Sequence, residues 1–199
     1  MIRGLYCICD TSVSPDRDHL TLAKAFVAGG ARIIQLRDKT GVLPEVARAI
    51  RELKRQHPFT FIINDSVDLA LEVGADGLHI GADDLPLREA RRRLGPDKII
   101  GYSSHGLDEA LCAEAEGADY VAFGAIFPTA TKGPNHPIQG LSKLAEVCRR
   151  VKVPVVAIGG IGRNNVKQVL EVGAKGFAMI SALTQARNVA KEVQWFAKL

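Results

Sequence analysis

The chain has 199 residues, 47% hydrophobic and 24% charged, which is enough for one well-buried core, and no apolar run approaches membrane-spanning length. A net charge of +4 and a pI near 8.9 favour anionic small molecules. They do not indicate nucleic acid, because no basic run has aromatic interleaving and Arg91, Arg92 and Arg93 read as one solvated helix face.

Cys7, Cys9, Cys112 and Cys148 have neither CxxC spacing nor the density of a secreted framework. Cys112 and Cys148 fall on apolar helix stripes, so buried free thiols in a reducing compartment are expected. The first strand begins almost directly after Met1, which leaves no room for a signal peptide, and the expected location is the cytoplasm.

In chain order, Leu5 to Cys9 reads as a buried strand, and Leu22, Ala23, Phe26 and Val27 make a helical stripe. Thr60 to Ile63 is the next isolated strand. Val67, Ala70 and Leu71 keep the spacing of a short helix that stops at Gly74. Further strands are expected at Lys98 to Tyr102 and, after Pro154, at Val155 to Ile158. Leu141, Leu144, Ala145, Cys148 and Val151 form a second stripe, and Val189, Ala190, Val193 and Phe196 a third.

Four segments repeat one another: GARIIQLR from Gly30, GADGLHIG from Gly74, GADYVAFG from Gly117 and GAKGFAMIS from Gly173. Each is a helix-ending glycine followed by a buried strand. The starts lie about 43 to 56 residues apart, room for two strand and helix units each. Adding the strands between the repeats gives eight, so the expected fold is α/β, a (β/α)8 TIM barrel formed as a single domain by residues 1–199.

Barrel chemistry sits where strands end, and these ends are polar. Asp65 and Asp84 follow the third and fourth strands, and two carboxylates on one rim suit a hard cation. Arg37 and Lys39 alternate along extended chain, so they point to one side and can meet an anion. Gly159 and Gly160 after strand seven and Ser181 after strand eight lie where barrels hold a phosphate, with Thr129, Thr131 and Lys132 adding hydroxyls and a cation. His79, inside a strand, reads as a satisfied barrel histidine. His105 is the better candidate for orienting a substrate or Ser103, and His19, His57 and His136 look peripheral. No serine elbow or Cys and His couple can be assembled. Mg²⁺, cations and a phosphate cradle together suit the departure of diphosphate as another phosphorylated molecule is joined.

These segments carry a family resemblance. QLRDK at Gln35 to Lys39, IND at Ile63 to Asp65, GADGLHIG followed by Asp84-Leu85-Pro86, GYSSH, FGAIFPTATK and AIGGI together resemble the thiamine phosphate synthase family over essentially the whole chain. The resemblance implies a transferase that joins 4-amino-2-methyl-5-hydroxymethylpyrimidine diphosphate to a thiazole phosphate. It implies that Gln35, Leu36, Arg37, Asp38, Lys39, Asn64, Ser103 and Lys132 hold the pyrimidine diphosphate, and that Asp65 and Asp84 bind Mg²⁺. Thr129, Ala130, Thr131, Gly160, Ile180 and Ser181 would hold the thiazole phosphate. Arg37, Lys39 and Lys132 would be the catalytic cations, acting on the leaving diphosphate.

Ala82 stands where the family usually has glutamine, and Ala125 where proline commonly precedes IFPT. Both bear on substrate geometry rather than on charge. The related thiazole tautomerase should carry a catalytic histidine near Ala125 and lack TATK; this chain does the reverse. A non-catalytic sensor should have lost the cations or acids, and none is lost. The expected partners are two phosphorylated small molecules, with no nucleic acid and no membrane. The sequence leaves the oligomeric state open, a homo-oligomer included.

Overall fold

The computed structural model describes residues 2–41, 44–129, 131 and 137–199. Its strands are β1 (Gly4–Cys9), β2 (Ile33–Leu36), β3 (Thr60–Asn64), β4 (Gly77–Ile80), β5 (Ile99–Ser104), β6 (Tyr120–Gly124), β7 (Val155–Ile158) and β8 (Gly176–Met179). They follow one another as neighbours in a closed barrel with helices in the intervals, the (β/α)8 arrangement read from the repeats. No helix among the described residues is long and apolar enough to cross a membrane.

The chain forms two compact units, one holding the chain up to Gly4 with His79–Ala178, the other Leu5–Leu78 with Met179–Leu199. In the second, β1 pairs parallel to β2 with Cys7 opposite Ile34, and β2 to β3 with Ile34 opposite Phe61. These strands are buried almost throughout because helices leave no solvated face on a parallel sheet. In the first unit, β5, β6 and β7 pair parallel in turn, with Ser103 opposite Ala122 and Ala122 opposite Val156.

The Gly-Ala repeat has a mechanical cause. In its second and third copies an aspartate follows: Asp76 takes the Phe61 N–H on Oδ2 at 2.6 Å, and Asp119 takes the Ile100 N–H at 2.7 Å. Each carboxylate takes the N–H of the second residue of the preceding strand while its own N–H donates to that residue's carbonyl, at 2.9 and 2.7 Å respectively. Lys54 pairs with Asp76, and Arg91 with Asp119. Gly74 and Gly117, with φ of 64° and 96°, make the left-handed step between helix and strand that a β-carbon would strain.

Several local expectations are corrected. β5 runs to Ser104, so Ser103 and Ser104 belong to a strand rather than to the loop after it. Leu71 is exposed, and Leu69 takes its place in the buried stripe of helix Val67–Glu72. In helix Gly140–Arg150 the buried pair is Leu144 and Val147, while Leu141, Ala145 and Cys148 lie at its margins. Cys112 is exposed, not buried. Only Cys7 and Cys9 are fully enclosed, and burial, more than their mutual repulsion or the nearby aspartates, pushes both thiols far above the ordinary range.

Two predictions follow from this packing. A β-carbon on Gly101 would lie 2.0 Å from Tyr120 Cζ, so Gly101→Ala should cost about 1–3 kcal/mol of stability, read as a lower denaturant midpoint. An unchanged midpoint would contradict the contact. In thiol labelling followed by peptide mapping, Cys112 should react in the folded protein, and Cys7 and Cys9 only on unfolding.

Candidate active site at the strand ends

The polar residues at the carboxyl ends of β1, β2 and β3 form an ion-pair set. Asp10, the residue after β1, is 1% exposed and pairs with the Arg37 guanidinium beyond β2. Lys39 Nζ donates to Asp65 Oδ2 at 2.5 Å, with Lys39 the more exposed partner. Lys39 therefore rests on a carboxylate that a dianionic ligand could replace, while Arg37 is anchored on an enclosed one. A buried guanidinium partner such as Asp10 holds the arginine in one place, whereas the exposed Lys39 pair contributes little to stability.

Asp65 is the one described non-glycine residue in the left-handed region, with φ of 62°. Aspartate tolerates this conformation at a cost on the order of 1 kcal/mol, and such outliers gather at functional sites. Here the step lets the Ser66 N–H donate to the Asn64 carbonyl at 2.7 Å, and Ser66 Oγ then caps the following helix by accepting from the Leu69 N–H at 3.2 Å. The turn aims the Asp65 carboxylate at Lys39.

Asp38 turns away from this pair. Its Oδ1 accepts from the Thr40 hydroxyl at 2.6 Å and the Thr40 N–H at 2.8 Å, and the Thr40 hydroxyl is the main reason its carboxyl lies below the usual range, with burial opposing and His19 assisting. His19 is not peripheral: Nε2 lies 3.3 Å from the Arg37 carbonyl and 3.8 Å from Asp38 Oδ2. Gln35, 2% exposed, donates from Nε2 to the Tyr6 hydroxyl at 2.9 Å, and Leu36 is buried beside it.

In the unit holding β5 to β7, the interior carries a three-residue chain. His79 Nδ1 lies 2.9 Å from the Tyr120 hydroxyl and Nε2 lies 2.9 Å from Ser103 Oγ, with the two rings stacked at 5.6 Å. His79 is thus the satisfied barrel histidine expected, but it is also what orients Ser103. His105 does not: its N–H donates to Glu109 Oε2 at 2.7 Å and its ring faces the same carboxylate. Asp84 Oδ2 accepts from the Gly81 N–H at 2.7 Å, which fixes the turn after β4.

After β7, Gly159 and Gly160 have φ of 98° and 65°. A β-carbon on Gly160 would lie 2.4 Å from the Pro128 carbonyl oxygen, so this glycine lets the turn press against the segment after β6. Asn165 Nδ2 donates to the Gly160 carbonyl at 3.0 Å and holds that shape. Thr129 Oγ1 accepts from the Thr131 N–H at 3.3 Å, whereas Ala130 and Lys132 lie outside the described residues. In the other unit, Ser181 opens the four-residue helix Ser181–Thr184 with Ile180 before it.

Sequence reasoning missed Asp10, Tyr6 and Tyr120. Asp10 had a signal, since it directly follows the first strand as the other rim residues follow theirs. Tyr6 and Tyr120 had none, because a tyrosine in an apolar strand reads as core.

A family model described as thiamine monophosphate synthase matches residues 5–183. The chain is 46% identical over 188 residues to a thiamine-phosphate synthase of Shouchella clausii, covering 93% of this chain and 90% of that one. It is 47% identical over 189 residues to a thiamine-phosphate synthase of Moorella thermoacetica, covering 94% and 90%. Among solved structures, thiamine phosphate pyrophosphorylase from Pyrococcus furiosus superposes with a TM-score of 0.87 at 38% identity, covering 98% and 94%. With its fold and these likenesses in agreement, the chain belongs to the thiamine monophosphate synthase family.

Proposed function

We propose that this chain is the transferase that joins 4-amino-2-methyl-5-hydroxymethylpyrimidine diphosphate to a thiazole phosphate, or its carboxylated form, releasing diphosphate and giving thiamine phosphate. One observation carries the reading. The chain covers nine-tenths of relatives named thiamine-phosphate synthase, and it has the charged residues Arg37, Lys39, Asp65 and Asp84 just beyond its strand ends. The closed strand order supports treating residues 1–199 as one barrel domain, in which all strands of a parallel barrel end on one rim. The reading also takes the enzyme to work in the cytoplasm.

In this reading Asp65 and Asp84 hold Mg²⁺. The donor chemistry fits, since both are half-exposed carboxylates and Mg²⁺ commonly takes one or two of these with substrate phosphates. Among the described residues no cluster of three or more acid, His or Cys ligands exists, so the two carboxylates would share the ion with diphosphate oxygens and water. When bound, the ion supplies neutralisation of charge on the departing diphosphate.

The chain's own residues do the rest. Arg37 and Lys39, with Lys132, meet the diphosphate oxygens and stabilise the charge that grows as the carbon–oxygen bond breaks. Gln35, Leu36, Asp38, Asn64 and Ser103 shape the pyrimidine site, and His79 keeps the Ser103 hydroxyl in register. Thr129, Ala130, Thr131, Gly160, Ile180 and Ser181 hold the thiazole phosphate so that its nitrogen faces the electron-poor methylene. Positioning and electrostatics supply most of the acceleration, and no protein base is required.

Incubation with both substrates and Mg²⁺ should form diphosphate and thiamine phosphate in equal amounts; diphosphate without thiamine phosphate would overturn the reading. Asp65→Asn and Asp84→Asn should each lower single-turnover rate by on the order of 10²-fold and raise the Mg²⁺ needed, while circular dichroism stays unchanged. A wild-type Mg²⁺ requirement in either would remove that residue from the metal site.

His79→Ala should cost about tenfold in rate, because Ser103 loses its orienting partner, whereas His79→Gln, which keeps a polar contact, should recover much of it. Equal losses in both would mean that His79 acts through packing alone.

A further inference from the structure

At the amino ends of β5 to β8, in the unit that holds β5 to β7, lies a cleft of about 800 Å³. Its inner wall is apolar, made by the buried Ile2, Val151 and Val155. Its rim carries three exposed cations, Arg3, Lys152 and Lys175. The volume is that of a small-molecule site.

The acids nearby are already engaged. Asp119 Oδ2 takes the Ile100 N–H at 2.7 Å and Arg91 Nη2 at 2.5 Å. Glu114 Oε1 takes the backbone N–H groups of Lys152 and Val153 at 2.6 and 2.8 Å. Among the described residues Arg3, Lys152 and Lys175 make no ion pair. Three like charges on the lining of one apolar-walled cleft give it a positive potential that favours an anion.

The repeat sharpens the point. Where its second and third copies place Asp76 and Asp119, the fourth places Lys175. The backbone of Lys175 still serves the barrel, its N–H donating to the Val155 carbonyl at 2.9 Å and its carbonyl accepting from the Gly4 N–H at 2.8 Å. The ladder therefore does not need the ammonium, and Lys175 is among the residues that line the cleft. Cys148 lies on the same wall; burial pushes its thiol up to about 11, and the charge on Lys175 acts against that rise, which puts thiol and ammonium in one space.

We propose that this cleft binds an organic anion with an apolar body, such as a phosphorylated or sulfonated aromatic molecule, its ring against Ile2, Val151 and Val155 and its anionic group between Arg3, Lys152 and Lys175. The cleft shares no lining residue with the proposed substrate site, and the inference stands whether or not the proposed reaction is correct.

A matched pair of probes tests it on the full chain: 8-anilinonaphthalene-1-sulfonate, and N-phenyl-1-naphthylamine, which has the same rings without the charge. The sulfonate should bind saturably at one site, with affinity about tenfold or more lower in Lys152→Glu with Lys175→Glu, the size expected for two reversed charge contacts. The neutral probe should bind weakly and be indifferent to those changes. Bound sulfonate should also slow alkylation of Cys148 but not of Cys112, read by peptide mapping. If the glutamate pair does not fold, Lys152→Gln with Lys175→Gln should show the same loss at smaller size. Affinity that survives both lysine pairs, or that falls instead in Arg37→Ala, would overturn the proposal, as would unchanged Cys148 alkylation.

Discussion

A parallel strand has no hairpin partner, so its first backbone groups must be met from the chain that enters the next strand. The Gly-Ala repeat does this in one device. A glycine with positive φ ends the helix, an alanine packs under the turn, and the third residue bonds back to the preceding strand. Asp76 and Asp119 strengthen the device with a carboxylate on the N–H groups of Phe61 and Ile100, and Lys54, just past helix Pro44–Leu53, and Arg91, on helix Leu87–Leu94, hold the two carboxylates in place. Everything placed at the carboxyl ends depends on strands whose amino ends are held in register this way.

At those carboxyl ends the chain holds its cations on its own acids. Arg37 rests on the buried Asp10, and Lys39 on Asp65. The two pairs differ in kind. Asp10 is enclosed and has the guanidinium as its partner, so it serves as a fixed anchor; Lys39 and Asp65 are open to water and can part at small cost. In the proposed reaction only the second pair would exchange partners: Asp65 would help hold Mg²⁺, and Lys39 would be free to meet the diphosphate. The arrangement keeps like charges apart before substrate binds.

Much of the fold was legible because it repeats. The four Gly-Ala copies and the apolar runs between them gave strand number and order, and only boundaries moved, such as β5 reaching Ser104. The charged strand-end residues were legible for the same reason, since each directly follows a recognisable strand. What the sequence hid were side-chain partners. Nothing in the local pattern tells that Tyr120 and His79 meet across the interior, or that Ser103 is oriented by His79 and not by its near neighbour His105. Leu71 was misplaced because a short helix offers too few turns for its period to fix the buried face.

The central claim is that Arg37 stays anchored on Asp10 while the Lys39–Asp65 contact gives way to a diphosphate that binds with Mg²⁺. Calorimetric titration of inorganic diphosphate, with and without Mg²⁺, tests it most directly. The account predicts that Mg²⁺ tightens diphosphate binding strongly in the wild type and much less in Asp65→Asn, where Lys39 has lost its charged partner. Equal diphosphate affinity with and without Mg²⁺ in the wild type would contradict it.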